Sequence, residues 1–152
     1  MYCLDTSALV GAWVRSYPPD VFPALWQNLD ELIGLGHAVA PEEVMNELEA
    51  KEDALFAWVK QRRDHLFVGL DEAQMVATTE ILDAFPRLVG ELADRNRADP
   101  FVIALARVRG LVVVSEERGG TVERPRIPLV CDHFGVRTMS PLAWIRELRW
   151  IF

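Results

Sequence analysis

The sequence predicts an α/β fold built around a central, largely parallel sheet. Short apolar, β-branched runs alternate along the chain with longer segments whose apolar residues recur at helical spacing, the pattern of strands joined by crossover helices. One of these runs, Leu111-Val112-Val113-Val114, is apolar throughout and suits a strand covered on both faces. At 152 residues the chain has the usual size of one compact domain, enough to bury a core, so a single domain over 1–152 is expected. No internal repeat or low-complexity segment interrupts it.

In chain order, Tyr2-Cys3-Leu4 is the first strand, and Asp5-Thr6-Ser7 opens a helix through Val14. Pro18 to Gly36 contains a second helix, with Phe22, Leu25, Trp26, Leu29, Leu32 and Ile33 forming an apolar stripe. His37 to Ala40 reads as a strand, and Pro41, at a first helical position, starts a helix to about Ala50. Ala54 to Arg63 is helical, with Leu55, Trp58 and Val59 on one side. Leu66 to Val68 is a short strand, and Asp71 caps a helix that ends before Pro86. Asp99-Pro100 opens a helix carrying Phe101, Val102, Leu105 and Val108, stopped by Gly110. Leu111 to Val114 then lies near the middle of the sheet. Arg118 to Pro128 reads as an exposed loop, Val130 to Phe134 as a short helix and Val136 to Thr138 as the last strand. Ser140-Pro141 caps a terminal helix with Leu142, Trp144, Ile145 and Leu148.

Composition narrows the chemistry. Sixteen basic against 23 acidic residues give a formal net charge of −7, the opposite of a protein that holds nucleic acid by bulk electrostatics. Either there is no nucleic-acid substrate, or acidic side chains gather at a cation site and a local basic strip meets the phosphates. Charges and prolines interrupt every apolar run before a spanning length, and no basic n-region precedes Asp5, so the cytoplasm is the expected location. Cys3 and Cys131 sit in apolar runs and read as buried free thiols. His37, His65 and His133 are scattered, without the spacing of a structural zinc site.

Open α/β sheets carry their sites at the carboxyl ends of the strands. The acids there are Asp5 after the first strand, Glu42, Glu43 and Glu47 after the second, and Glu116 and Glu117 after Leu111 to Val114. Asp99 adds a fourth location at a helix N-terminus, where backbone amides can fix a carboxylate. Converging carboxylates repel one another unless a cation neutralises them, and an all-oxygen set favours Mg2+ or Mn2+. Such a site serves hydrolysis of a phosphodiester. Taken singly, each acid has a plainer reading. Asp5 and Asp99 are both good helix N-caps, and Glu47 and Glu117 stand among other charged residues that water would solvate.

Leu4-Asp5-Thr6-Ser7-Ala8-Leu9 resembles the opening motif of PIN-domain nucleases. Ala98-Asp99-Pro100-Phe101-Val102-Ile103-Ala104-Leu105-Ala106 is similar to their third-acid helix, and Val112-Val113-Val114-Ser115-Glu116-Glu117 to the strand and Thr-x-Asp turn with the last acid. Ile127-Pro128-Leu129-Val130-Cys131 further resembles an uncharacterised PIN-like subgroup with Ser/Thr-x-Glu in that turn. The resemblance implies a three-layer α/β/α sandwich, a Mg2+ or Mn2+ site and cleavage of single-stranded RNA, with many members acting as toxins of toxin–antitoxin pairs. Carried over by position, Asp5, Glu47, Asp99 and Glu117 would be the four catalytic, metal-holding acids, with Thr6, Ser7, Glu43 and Ser115 in support. Glu117 departs from the commoner aspartate by one methylene, which moves its carboxylate outward by roughly 1.5 Å. That departure keeps open an alternative, a non-catalytic PIN-like module that binds RNA or protein through a weakened acidic site.

Arg95, Arg97, Arg118, Arg124 and Arg126 flank the third and fourth acids and could form a strip for RNA phosphates, although arginines there are also ordinary surface residues. The apolar end Trp150-Ile151-Phe152 and the resemblance together point to a homodimer or an antitoxin protein as partner. Two other aspartate-based sites fit less well. A dehalogenase-like phosphotransferase needs a second aspartate where Ser7 stands, and an Asp-x-Ser-x-Ser adhesion motif meets Leu9 in place of its second serine.

Overall fold

A computed structural model describes residues 1–51, 53–89 and 98–152. Its sheet has five strands, all parallel: β1 (Tyr2–Leu4), β2 (Ala38–Pro41), β3 (Phe67–Val68), β4 (Val112–Val114) and β5 (Thr138–Met139), in the spatial order β3-β2-β1-β4-β5. Strand β1 is therefore the centre, with Cys3 in register with Val39 on one side and Val113 on the other. The Leu111 to Val114 run lies next to that centre.

Alternation along β1 and β4 separates the two faces of the sheet. The Cys3 thiol donates to the Val102 carbonyl at 3.6 Å, which turns Cys3 toward helix α7 (Asp99–Arg109). Leu4 and Val114 point to the other face. There they border a small apolar cavity with Leu9 of α1 (Thr6–Gly11), Leu29 of α2 (Pro23–Gly34) and Trp144 of α9 (Pro141–Glu147). Helix α7 is apolar around most of its circumference, with Val102 to Ala106 all buried, because it lies between the sheet and α6 (Glu72–Ala84). Gly110 ends it with φ of 66°, a left-handed conformation that glycine adopts without steric cost. Among the described residues no helix is long and apolar enough to cross a membrane.

Several boundaries depart from the sequence reading. The first helix is α-helical only to Gly11 and continues as a π-helical turn over Ala12–Ser16, closed by Tyr17 N–H donating to the Ala12 carbonyl at 2.8 Å. Trp13, in this turn, packs against Trp26 at 4.7 Å between ring centres. Pro41 is the last residue of β2, with α3 (Glu42–Glu49) beginning after it.

Helix α4 (Ala54–Lys60) stops short of Arg63. Arg62 folds back to donate to the Trp58 carbonyl at 2.8 Å and covers the Trp58 ring at 3.9 Å; a separate turn, α5 (Arg63–Leu66), follows. Helix α8 (Ile127–Phe134) starts three residues before the expected Val130, because Pro128 occupies its first turn instead of ending the loop. Asp71 and Ser140 cap α6 and α9 as expected, accepting from Gln74 N–H at 2.8 Å and Ala143 N–H at 3.1 Å. Both cysteines are buried and free. Trp26 and Trp144 are buried, whereas Trp13 and Trp58 are half-buried.

Candidate metal centre

The carboxyl ends of β1 and β4 meet where the chain has gone one way across the sheet, to β2 and β3, and then the other, to β4 and β5. This is the switch point at which open α/β sheets leave a crevice. Asp5 follows β1 directly, and its backbone N–H donates to the Val114 carbonyl at 3.0 Å, so it is pinned to the sheet edge.

Asp5 occupies the N-cap position of α1, yet its side chain makes no capping bond. Its Oδ2 accepts instead from the hydroxyls of Ser7 at 2.5 Å and Ser115 at 2.9 Å. Those hydroxyl oxygens accept from the next peptides of the β4 turn, Glu116 N–H onto Ser7 at 3.0 Å and Glu117 N–H onto Ser115 at 3.1 Å. Two chains of backbone amide, hydroxyl and carboxylate thus hold one oxygen of Asp5 and lock the β4 turn onto the start of α1.

Asp99 is the first residue of α7, with Ala98 as its N-cap and no side-chain cap bond, so the N-cap reading of Asp99 is corrected. Helical placement turns the side chain inward, and it is only 4% exposed. Nor do backbone amides fix its carboxylate fully: among the described residues the buried Oδ2 has no hydrogen-bond partner. Glu117, two residues beyond Ser115, brings its carboxylate to the same place. One oxygen from each of Asp5, Asp99 and Glu117 lies within 4.8 Å of the others. Glu117 Oε2 also accepts from Ile127 N–H at 3.0 Å, so its longer side chain is anchored at the N-terminus of α8, where a negative charge is favoured.

Glu47 stands beside this triad and not in it. Its Oε1 accepts from the Thr6 hydroxyl at 3.2 Å and from Ala98 N–H at 3.1 Å, joining α3 to the starts of α1 and α7. Glu43, one helical turn earlier on α3, is half-buried and outside the triad.

The electrostatics follow from this crowding. Burial raises the Asp5 carboxyl from an ordinary 3.8 to about 6, against the stabilising Ser7 hydrogen bond and with help from the Glu117 charge. Burial also drives Asp99 well above the carboxylate range, and the charges of Asp5, Glu117 and Glu47 push in the same direction. Glu47 is raised chiefly by burial, partly offset by its bonds to Thr6 and Ala98. An unpaired buried oxygen inside a cluster of oxygen donors fits a hard divalent cation, which would supply both the missing partner and the missing positive charge.

The remaining candidate residues are more scattered. Arg118 is exposed and lines a groove beside Glu117, and Arg124 and Arg126 are exposed on the following loop. Arg95 and Arg97 lie outside the described residues. Sequence reading passed over Arg15 and Gly11. Arg15 pairs with Glu116 at 3.5 Å, and a Cβ on Gly11 would come within 2.8 Å of the Glu116 carboxyl carbon. The usable signal was Gly11 itself, a glycine inside a helical pattern, which often marks a close approach.

A family model described as "Domain of unknown function (DUF4411)" matches residues 2–152. No curated protein gives a significant sequence match. Among solved structures, the chain is similar to FitAcB from Neisseria gonorrhoeae at 19% identity and a TM-score of 0.54, over 93% of this chain and 99% of that one. At this identity the likeness shows the fold alone, a PIN-like α/β/α sandwich.

Proposed function

We propose that this chain, which belongs to the DUF4411 family of unknown function, is a Mg2+- or Mn2+-dependent endoribonuclease acting on single-stranded RNA. The observation that carries the reading is the triad of Asp5, Asp99 and Glu117, with its unpaired Asp99 oxygen, at the switch point of the sheet. A bound divalent cation supplies Lewis-acid polarisation of the phosphodiester, lowers the pKa of water and offsets charge on the leaving oxygen. Asp5 and Asp99 offer ligand oxygens on short side chains next to well-fixed backbone. Ser7 and Ser115 hold Asp5 through Oδ2 and so orient the carboxylate that would meet the ion. Glu117 is a third ligand steadied by Ile127 N–H, and Glu47 positions the start of α7 through Ala98. The sequence resemblance supports the finer reading, the toxin of a toxin–antitoxin pair, working in the cytoplasm and held by an antitoxin protein or a second copy.

The test is cleavage of a labelled single-stranded RNA by wild-type protein and Asp99→Asn, both purified free of host nuclease. Cation-dependent cleavage lost in the variant is expected. Equal cleavage by both would refute the site. RNA binding without cleavage under Mg2+ or Mn2+ would favour the non-catalytic module, the reading kept open by Glu117 in place of aspartate.

A further inference from the structure

Beside the carboxylate triad lies an open groove of about 590 Å³, between the π-helical turn, the turn after β4 and the start of α9. Its volume is within the roughly 300–1,000 Å³ of small-ligand sites. The groove adjoins the triad: Glu117 belongs to both, and Ser115, which lines the groove, bonds to Asp5. The rest of its lining is of different chemistry: Tyr17, Met139, Pro141 and Leu142, together with the exposed Arg118. Leu142 is 47% exposed, an apolar side chain held open to water next to an acidic site. The Tyr17 ring packs edge to face against Phe22 at 5.4 Å, which steadies that side chain. Ser140 uses its oxygen to accept from Ala143 N–H and keeps its hydroxyl proton for another acceptor.

Resting on the nuclease reading, we propose that this groove seats the nucleoside adjacent to the scissile phosphate of a single-stranded RNA. The base packs against Tyr17 and Leu142, and Arg118 meets the neighbouring backbone phosphate. The chemistry of the walls selects this occupant. A base has an apolar face for the apolar lining and polar edges for Ser140 and Thr138, and its attached phosphate extends toward the triad. A free inorganic anion would meet the Glu116 and Glu117 carboxylates with nothing to gain from the apolar wall. A single strand is favoured, because a paired base enters a concave site only after paying for unpairing and unstacking, a cost that an unpaired base avoids.

The test uses full-length protein and a fluorescein-labelled RNA hexanucleotide, with binding read by anisotropy in Ca2+. Leu142→Glu places a charge on the apolar wall at an exposed position, and Tyr17→Ala removes the ring. Each should weaken binding about ten-fold, the scale of one lost base contact. Leu35→Glu, at an even more exposed leucine that does not line the groove, should leave the affinity as it is. An abasic hexanucleotide should bind wild type and Leu142→Glu alike. Wild-type affinity in Leu142→Glu would overturn the proposal, and so would an equal loss for the abasic strand, which would show that the groove reads backbone alone. If wild-type protein cleaves nothing under Mg2+ or Mn2+, the nuclease reading fails while the anisotropy result still decides the groove. If cleavage is intact and Leu142→Glu binds normally, the groove assignment fails alone.

Discussion

Asp99 Oδ2 and Trp144 Nε1 are both buried side-chain atoms without a hydrogen-bond partner among the described residues, and they lie on opposite faces of the same sheet. Around Trp144 the neighbours are hydrocarbon and aromatic: Tyr2 at 5.4 Å, Trp150 at 5.9 Å and the walls of the apolar cavity. Around Asp99 they are carboxylates. A neutral N–H left dry costs about 1–3 kcal/mol and asks for nothing further. A carboxylate among carboxylates must hold a proton or meet a cation. The first is a packing imperfection, and the second is a site whose local stability depends on what binds it.

The largest effect expected of that difference is on activity. Asp99→Asn and Asp5→Asn keep the side-chain shape and remove a ligand charge, so Mg2+-dependent RNA cleavage should fall by orders of magnitude. In the absence of divalent cation the same variants should melt at higher temperature than wild type, because the like-charge repulsion is gone. Glu117→Gln should lose less activity, since its longer side chain is held from α8, and Glu43→Gln should be silent. A variant that lost activity and melting temperature together would show that Asp99 supports the fold instead of a cation.

The pH dependence sharpens the contrast. A carboxyl whose pKa is raised by folding binds protons more tightly when folded than when unfolded, so stability falls as pH rises. For Asp5, moved from 3.8 to about 6, the loss runs from about pH 4 to above pH 6 and amounts to about 3 kcal/mol. Asp99, raised further, extends the decline toward neutrality and beyond. Metal-free protein should therefore melt lower at pH 7.5 than at pH 5, and Mn2+ should reverse the trend while releasing protons on binding. A melting temperature that rises with pH in the metal-free protein, or that Mn2+ leaves untouched, would break the comparison.

Much of this arrangement was legible in the chain. Asp5 and Glu117 come just after strands, Asp99 opens a helix and Glu47 lies in the second turn of the helix after β2, and the parallel sheet brings three of them together with Glu47 alongside. The geometry within that edge was not legible. Ser7 looks like any residue in a first helical turn, and its bridge from Glu116 N–H to Asp5 depends on the tertiary approach of β4. The π-helical turn at Ala12–Ser16 is equally silent, because over a single turn a spacing of five residues and one of four place Trp13 on much the same side. Pro128 looked like a loop residue because nothing local shows that Glu117, ten residues before Ile127, serves the N-terminus of α8.

Ser7→Ala measures how much that hidden geometry matters. It removes one of two hydroxyls from Asp5 Oδ2 and leaves Glu116 N–H without its acceptor, while the triad stays intact. The expected loss is about 10–100-fold in Mn2+ affinity or cleavage rate, as for other residues that orient a ligand. Ser7→Thr should recover part of it by restoring the hydroxyl. Full activity in Ser7→Ala would show that Ser115 alone orients Asp5.

The smallest effect belongs to the other orphan, and a second tryptophan calibrates it. Trp26 Nε1 donates to the Tyr17 carbonyl at 2.8 Å, so Trp26→Phe loses ring volume and strands an acceptor at the end of the π-helical turn. That change should cost about 2–4 kcal/mol. Trp144→Phe loses similar volume but also relieves an unpaired donor, and the two terms nearly cancel to within about 1 kcal/mol. In a chain of this size that is a shift of a few degrees at most in melting temperature. The pair is best read by urea unfolding, where a common slope allows the midpoints to be compared directly. Equal destabilisation of the two variants would mean that Trp144 Nε1 has a partner in solution, such as a buried water, and that only Asp99 is left in need of one.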